Sequence, residues 1–423
     1  MAEGGKCQDH RIGAPSPLIM HLASALALYE GGARLAPIAD EDRFPWPEPP
    51  DAAAQALAEA VSSADRFSMA LALRAEAAAR LSTMATGIRR YQQHSARRNE
   101  PTPPTIWSSG AARLLDYGPP SEKPQAPPVF VTPSLINRYY IMDLARDASL
   151  IGALRSAGLR PLVLDWGAPG PDEQAFDLTD YCEQRLLPAF LAGLAATGAA
   201  SMPVIGYCMG GTLSVALAQH LQGKVSRLAL IGAPWDFSGM TPMRGALSAV
   251  GLNGRRADLE QAINGVSGAF GAVPVHMLQM IFALLDPGLA ARKFRRFATL
   301  DQDSAEAHRF VLIEDWLNDG PPFSGPAARE ALINWHAENQ PMKRRWQVFG
   351  ERTLPESLLQ PTLIIAATGD RIAPPAATMP LARLIPNATV ITPATGHVGM
   401  IVGREAREAV WAPLSRFLLS PPK

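Results

Sequence analysis

The chain has 423 residues, with 39 basic and 39 acidic side chains, so its formal net charge is zero. No surplus of Lys and Arg exists to neutralise phosphates, which argues against a nucleic-acid partner. Hydrophobic residues make up 47%, ample for a large core, and three scattered cysteines (Cys7, Cys182 and Cys208) offer neither a disulfide framework nor metal-ligand spacing.

The first apolar run, Pro17 to Tyr29, is interrupted by His21 and ends at Glu30. It lacks a basic lead-in and is too short for a bilayer, so the expectation is a cytoplasmic protein with no transmembrane segment. Residues 51–63 and 66–95 are rich in Ala, Leu and Arg, with apolar positions at helical spacing, and Asp51 is placed to cap the first of these helices. Residues 1–105 therefore read as a helical N-terminal region. Glu100-Pro101-Thr102-Pro103-Pro104 is a stiff breaker that closes it.

Beyond the breaker, short apolar runs alternate with helical patterns. The runs are Pro128–Thr132, Pro161–Asp165, Pro203–Gly206, Arg227–Ile231, Pro361–Ala366 and Ala388–Thr392. Each is nearly continuous, as expected for strands buried on both faces of a parallel sheet. Helices are expected over 139–157, 173–198, 210–222 and 375–385, which gives the βαβ alternation of an open α/β sheet. The stretch from Ile231 to Pro361 is too long for one crossover. It reads as mostly helical, with segments at 256–272, 274–285 and 303–317. The expected organisation is a first core part over 106–235, a helical cap or lid over 236–345, and a second core part over 346–423.

The sharpest motif is Gly206-Tyr-Cys208-Met-Gly210-Gly211, between a strand and a helix. This is the G-x-nucleophile-x-G turn of the α/β-hydrolase fold with cysteine as the nucleophile. The turn is tight, so its neighbours must lack bulky side chains. The helix N-terminus beneath Cys208 favours a thiolate, and the Met209 N–H points where an oxyanion would form. The fold then requires an acid and a histidine, in that order, past later strands. Asp370 follows the run Pro361–Ala366, and His397 follows Ala388–Thr392. His397 would take the thiol proton, and Asp370 would orient the imidazole. A second oxyanion donor is expected near Leu135, in the loop after Pro128–Thr132.

Five other residues are candidates for the substrate pocket. Asp165 and Trp166 could line it, although a strand-end Asp also reads as a turn anchor. Asn137 either fixes the oxyanion loop or serves a turn. Trp316 and Asp319 either meet substrate or stabilise the cap. Cys182 lies in a helical stretch and reads as core.

These motifs together resemble the polyhydroxyalkanoate synthases. The resemblance covers about 106–423 and rests on Pro133-Ser-Leu-Ile-Asn-Arg-Tyr-Tyr-Ile-Met-Asp-Leu144, Val163-Leu-Asp-Trp-Gly-Ala-Pro169, the Cys208 turn, Trp316-Leu-Asn-Asp319, Gly369-Asp370-Arg-Ile-Ala-Pro374 and Gly396-His397-Val-Gly-Met400. Arg371 and His336 depart from the family pattern, which more often has His and Tyr there. The resemblance implies polymerisation of (R)-3-hydroxyacyl-CoA through an acyl thioester on Cys208, with CoA released and no cofactor beyond that thioester substrate. It further implies a homodimer, with or without a second subunit, on a growing polyester chain at a granule surface. The same triad would serve a thioesterase or esterase, and a third alternative is an inactive granule-binding or partner subunit.

Overall fold

The computed structural model describes residue 11 and residues 13–35, 52–119, 121–123, 125–252 and 255–420. The expectations for Cys7 and for a cap at Asp51 lie outside the described residues. Two compact units emerge, Met1–Ala96 with Asp286–Val311, and Arg97–Leu285 with Leu312–Lys423.

In the first unit, helices run over Leu18–Leu35, Ala52–Ser63, Arg66–Gln93 and Leu289–Thr299. Asp65 caps the long one by accepting a hydrogen bond from the Ser68 N–H at 2.8 Å. A Cβ at Gly87 would stand 1.9 Å from the carbonyl oxygen of Phe294, so two helices cross there backbone against backbone. Met84, Ile88, Tyr91, Phe294 and Phe297 form the core of this unit.

The second unit is built on eight strands: β1 Thr105–Ser109, β2 Ala112–Asp116, β3 Pro128–Thr132, β4 Arg160–Asp165, β5 Met202–Tyr207, β6 Val225–Ile231, β7 Thr362–Ile365 and β8 Ala388–Ile391. Their order in the sheet is β1-β2-β4-β3-β5-β6-β7-β8. From β4 to β8 every neighbouring pair is parallel. β1 and β2 form an antiparallel hairpin that joins β4 antiparallel. Successive residues turn to opposite faces, as the strand repeat requires. Phe130, Val204, Leu228, Leu230 and Ile364 enter one core, whereas Val131, Ile205, Ala229, Ile231 and Ile365 enter the other. Burial on both faces explains the unbroken apolar runs in the sequence.

The register decides where the chemistry falls. Thr132 pairs with Gly206, Tyr207 with Ile231, Ile231 with Ile365, and Ile365 with Ile391. The parallel strands therefore end together, and the loops that follow them share one rim.

Two sequence expectations change. The β1–β2 hairpin was not anticipated: β1 is half exposed and of mixed polarity, and Gly110 at φ +55° makes its turn. The helix expected over 139–157 is replaced by a turn of 3₁₀ helix at Tyr139–Met142, a small hairpin, and a short helix at Leu150–Ser156. Local side-chain bonds compete with the helix there. Ser149 Oγ donates to Asp143 Oδ1 at 2.6 Å and accepts from the Gly152 N–H at 2.7 Å. Between β6 and β7 the chain is mostly helical, with Arg256–Phe270, Val275–Leu284 and Ala305–Asn318 close to the expected segments.

Candidate active site

Cys208 follows β5 directly and leads into the helix Met209–His220. Its backbone has φ 55° and ψ −129°, a region that costs a non-glycine residue roughly 1–3 kcal/mol. The neighbouring glycines make the turn feasible. A Cβ at Gly206 would be 2.5 Å from Gly211 Cα, one at Gly211 would be 2.5 Å from Ala233 Cβ, and one at Gly210 would be 2.2 Å from the Pro133 carbonyl oxygen. The loop after β3 thus packs directly on the start of the Cys208 helix. That loop carries Leu135, and the helix starts with Met209; both are buried.

Asp370 is fixed twice over. Its Oδ1 accepts from the N–H groups of Ile372 and Ala373, both at 2.8 Å, and its Oδ2 lies 2.6 Å from His397 Nδ1. The loops bearing the two residues are zipped together by the Thr368 N–H to the Pro393 carbonyl and the Gly369 N–H to the Thr395 carbonyl, both at 3.0 Å. This extends the β7–β8 pairing past the strand ends and brings Asp370 to His397.

With Nδ1 engaged by Asp370, the imidazole also lies within electrostatic reach of the Cys208 side chain. The three side chains therefore share the rim at which the parallel strands end. Burial alone would lower the His397 pKa. The negative charges of a Cys208 thiolate and of Asp370, with the hydrogen bond to Asp370, instead raise it to about 10. Such an arrangement favours the imidazolium form of His397 over the neutral one.

Two neighbours that sequence reasoning did not single out bound the imidazole. The Tyr207 ring stacks on it, with centroids 5.0 Å apart and planes at 29°. Gly232, at φ +54°, leaves room for it: a Cβ there would be 3.0 Å from His397 Cε1. The glycine carried a signal, since it directly follows β6 at the rim.

The remaining candidates mostly bond to the protein itself. Asp165 accepts from the Gly167 N–H at 3.0 Å and pairs with Arg113 at 2.6 Å, the turn-anchor arrangement. Trp166 donates its indole N–H to the Pro133 carbonyl at 3.0 Å and so braces the loop of Leu135. Trp316 donates to the Arg138 carbonyl at 2.8 Å. Asp319 accepts from the Tyr140 hydroxyl at 2.9 Å. Gly320 approaches Asn137, whose Oδ1 would be 3.0 Å from an added Cβ. Cys182 is fully buried, and burial followed by the nearby carboxylates pushes its thiol well up. Among the described residues, no cluster of three or more His, Cys, Asp or Glu could hold a metal, and no helix is long and apolar enough to cross a membrane.

Comparison with known proteins agrees with this fold. The alpha/beta hydrolase fold family model matches residues 127–404. The chain is 30% identical over 315 residues to the poly(3-hydroxyalkanoate) polymerase subunit PhaC of Haloferax mediterranei, covering 73% of this chain and 62% of that protein. It is 29% identical to the namesake of Haloarcula marismortui, covering 69% of this chain and 60% of that one. The chain thus spans about three fifths of the length of these two relatives. For the PhaC subunit of Allochromatium vinosum the identity is 27%, over 74% of this chain and 87% of the relative. A solved alpha/beta fold family hydrolase from Bacillus anthracis is 14% identical with a TM-score of 0.46, covering 74% of this chain and 99% of that one. The chain belongs to the alpha/beta hydrolase fold family and is similar to poly(3-hydroxyalkanoate) polymerase subunits.

Proposed function

We propose that this protein is an acyltransferase that polymerises (R)-3-hydroxyacyl-CoA into a polyester, with Cys208, His397 and Asp370 as its catalytic triad. The observation that carries the reading is His397, held at 2.6 Å by Asp370 and within electrostatic reach of a cysteine on a glycine-lined strand-to-helix turn. Relatives 30% and 27% identical to this chain over 73% and 74% of its length bear the name poly(3-hydroxyalkanoate) polymerase subunit PhaC.

The chemistry follows from the side chains. The Cys208 thiolate attacks the thioester carbonyl, and the N–H groups of Met209 and Leu135 receive the oxyanion. The C–S bond to CoA breaks, and the imidazolium of His397 protonates the departing thiolate. The neutral imidazole then takes the proton of an incoming hydroxyl, which attacks the acyl group on Cys208. An ester forms, and the Cys208 thiolate and His397 imidazolium return. A thioester on cysteine suits this cycle, because exchange with CoA is nearly thermoneutral and the acyl group stays activated. Every proton and acyl transfer is assigned to side chains of the chain. The same reading has the enzyme act as a homodimer, with its product at the surface of a polyester granule.

The test is incubation with 3-hydroxybutyryl-CoA while free thiol, turbidity and product size are followed. Thiol release with a lengthening polymer is expected, and loss of both in Cys208→Ala. Thiol release with only free hydroxy acid would assign the triad to hydrolysis. No release from folded protein would remove the reading.

A further inference from the structure

We propose that Tyr207 is a positioning residue for His397: its ring face supports the imidazolium and holds the imidazole plane between Cys208 and Asp370. The inference rests on the acyl-transfer reading of the triad and deepens it.

Tyr207 is the last residue of β5 and immediately precedes Cys208. It is 2% exposed, so its ring cannot swing away without opening the core. The ring lies against the imidazole at 5.0 Å and 29°, close to parallel. Its hydroxyl donates to the His397 carbonyl at 3.4 Å, so the residue touches His397 at both ring and backbone. The Gly232 backbone bounds the imidazole edge at Cε1. Cys208 and Asp370 supply the charges that act on His397. Burial, then the charges of Cys208 and Asp370, pushes the Tyr207 phenol far up, so it stays neutral and presents a π-face rather than an anion.

An aromatic face carries partial negative charge and attracts a cation placed over it. It therefore favours the protonated imidazole over the neutral one. The same stack prevents rotation about the Asp370 hydrogen bond, which alone would leave the ring plane free. One residue of the turn thus sets both the location of the nucleophile and the orientation of its base.

The test replaces Tyr207 by Phe and by a graded series of fluorinated phenylalanines in the full chain. Fluorine drains charge from the ring face with little change of shape. The primary readout is the titration midpoint of His397, followed by NMR of its Cε1–H, and it needs no substrate. Tyr207→Phe should titrate close to the parent. Increasing fluorination should lower the midpoint stepwise, by about half a pH unit in total. The rate constant kcat on 3-hydroxybutyryl-CoA should fall in parallel, with KM unchanged. A midpoint that stays constant across the series overturns the inference, even if thermal stability changes, because packing alone would then explain the contact. Absence of thiol release by the parent protein would remove the proposed function but leave the titration of His397 readable, so the two failures are distinguishable.

Discussion

The Cβ that Gly232 lacks would stand 3.0 Å from Cε1 of His397 and 3.1 Å from its Nδ1. The imidazole and the Met400 methyl, which the Cβ would meet at 2.9 Å, fill the space that any other residue at 232 would need. Gly232→Ala should therefore displace the ring. The positive φ of +54° adds about 1 kcal/mol of backbone strain for alanine. A shift of the base by a fraction of an ångström costs roughly tenfold to a hundredfold in turnover. The expected result is a fall of that size in kcat on 3-hydroxybutyryl-CoA, with the far-UV spectrum intact. Turnover equal to the parent would mean that the ring is not held where Asp370 and Cys208 meet it.

Asp370→Asn separates orientation from charge. Its Oδ1 can still accept from Ile372 and Ala373, but an amide N–H₂ in place of Oδ2 faces His397 Nδ1 and favours the wrong tautomer. Activity should fall roughly 10²- to 10⁴-fold. The pH dependence should also move. The folded His397 pKa, about 10, lies above the unfolded value of 6.5. Its imidazolium thus stabilises the fold fully below the unfolded value, and that contribution disappears as pH rises through the folded one. Asp370 is among the groups that raise this pKa, so its removal should shift the alkaline limb of residual activity to lower pH. An unmoved limb would show that Asp370 does not support the imidazolium.

The sheet was legible because five of its strands, β3 to β7, are buried on both faces and so read as apolar runs, while the half-exposed edge strand β8 still keeps an apolar run. Cys208, Asp370 and His397 were legible through those runs, since each follows one and the parallel register aligns the strand ends. The β1–β2 hairpin was hidden by its half-exposed, mixed surface. The bonds that engage Trp166 and Trp316 go to the carbonyls of Pro133 and Arg138, and no sequence pattern marks a backbone acceptor. Tyr207 was hidden for another reason. Its stack on His397 joins positions 190 apart, and only the shared rim brings them together.

Trp316→Phe tests the fastening of the segment that leads away from the Leu135 loop. Trp316 is 3% exposed, and its indole N–H satisfies the Arg138 carbonyl. Phenylalanine keeps most of the packing but leaves that acceptor without its donor, a loss of about 1–3 kcal/mol. Asp319→Asn alters a more exposed contact to Tyr140, with the Asp319 side chain 52% accessible, and should cost under about 1 kcal/mol. Urea unfolding of both variants checks the order of the two effects. An equal or greater loss for Asp319→Asn would contradict it.

Glu330 gives the clearest pH signature outside the triad. Its carboxylate accepts from the Leu178 N–H at 2.8 Å, the Thr179 N–H at 3.3 Å and the Trp346 indole N–H at 2.7 Å. Burial, and next the nearby charge of Asp177, still raise its pKa to about 7 from an ordinary 4.5, because these three bonds only partly offset the desolvation. For an acid raised in this way the folded state binds the proton more tightly than the unfolded chain. Its contribution to stability is therefore complete below the unfolded value and is lost as pH climbs toward and past 7. The size of that loss is on the order of 3 kcal/mol. Glu330→Gln cannot ionise, so the stability difference between parent and variant should fall by this amount between pH 4.5 and 8 in paired urea titrations. A difference that stays constant across that range would mean that Glu330 keeps its ordinary carboxylate affinity for protons despite its burial.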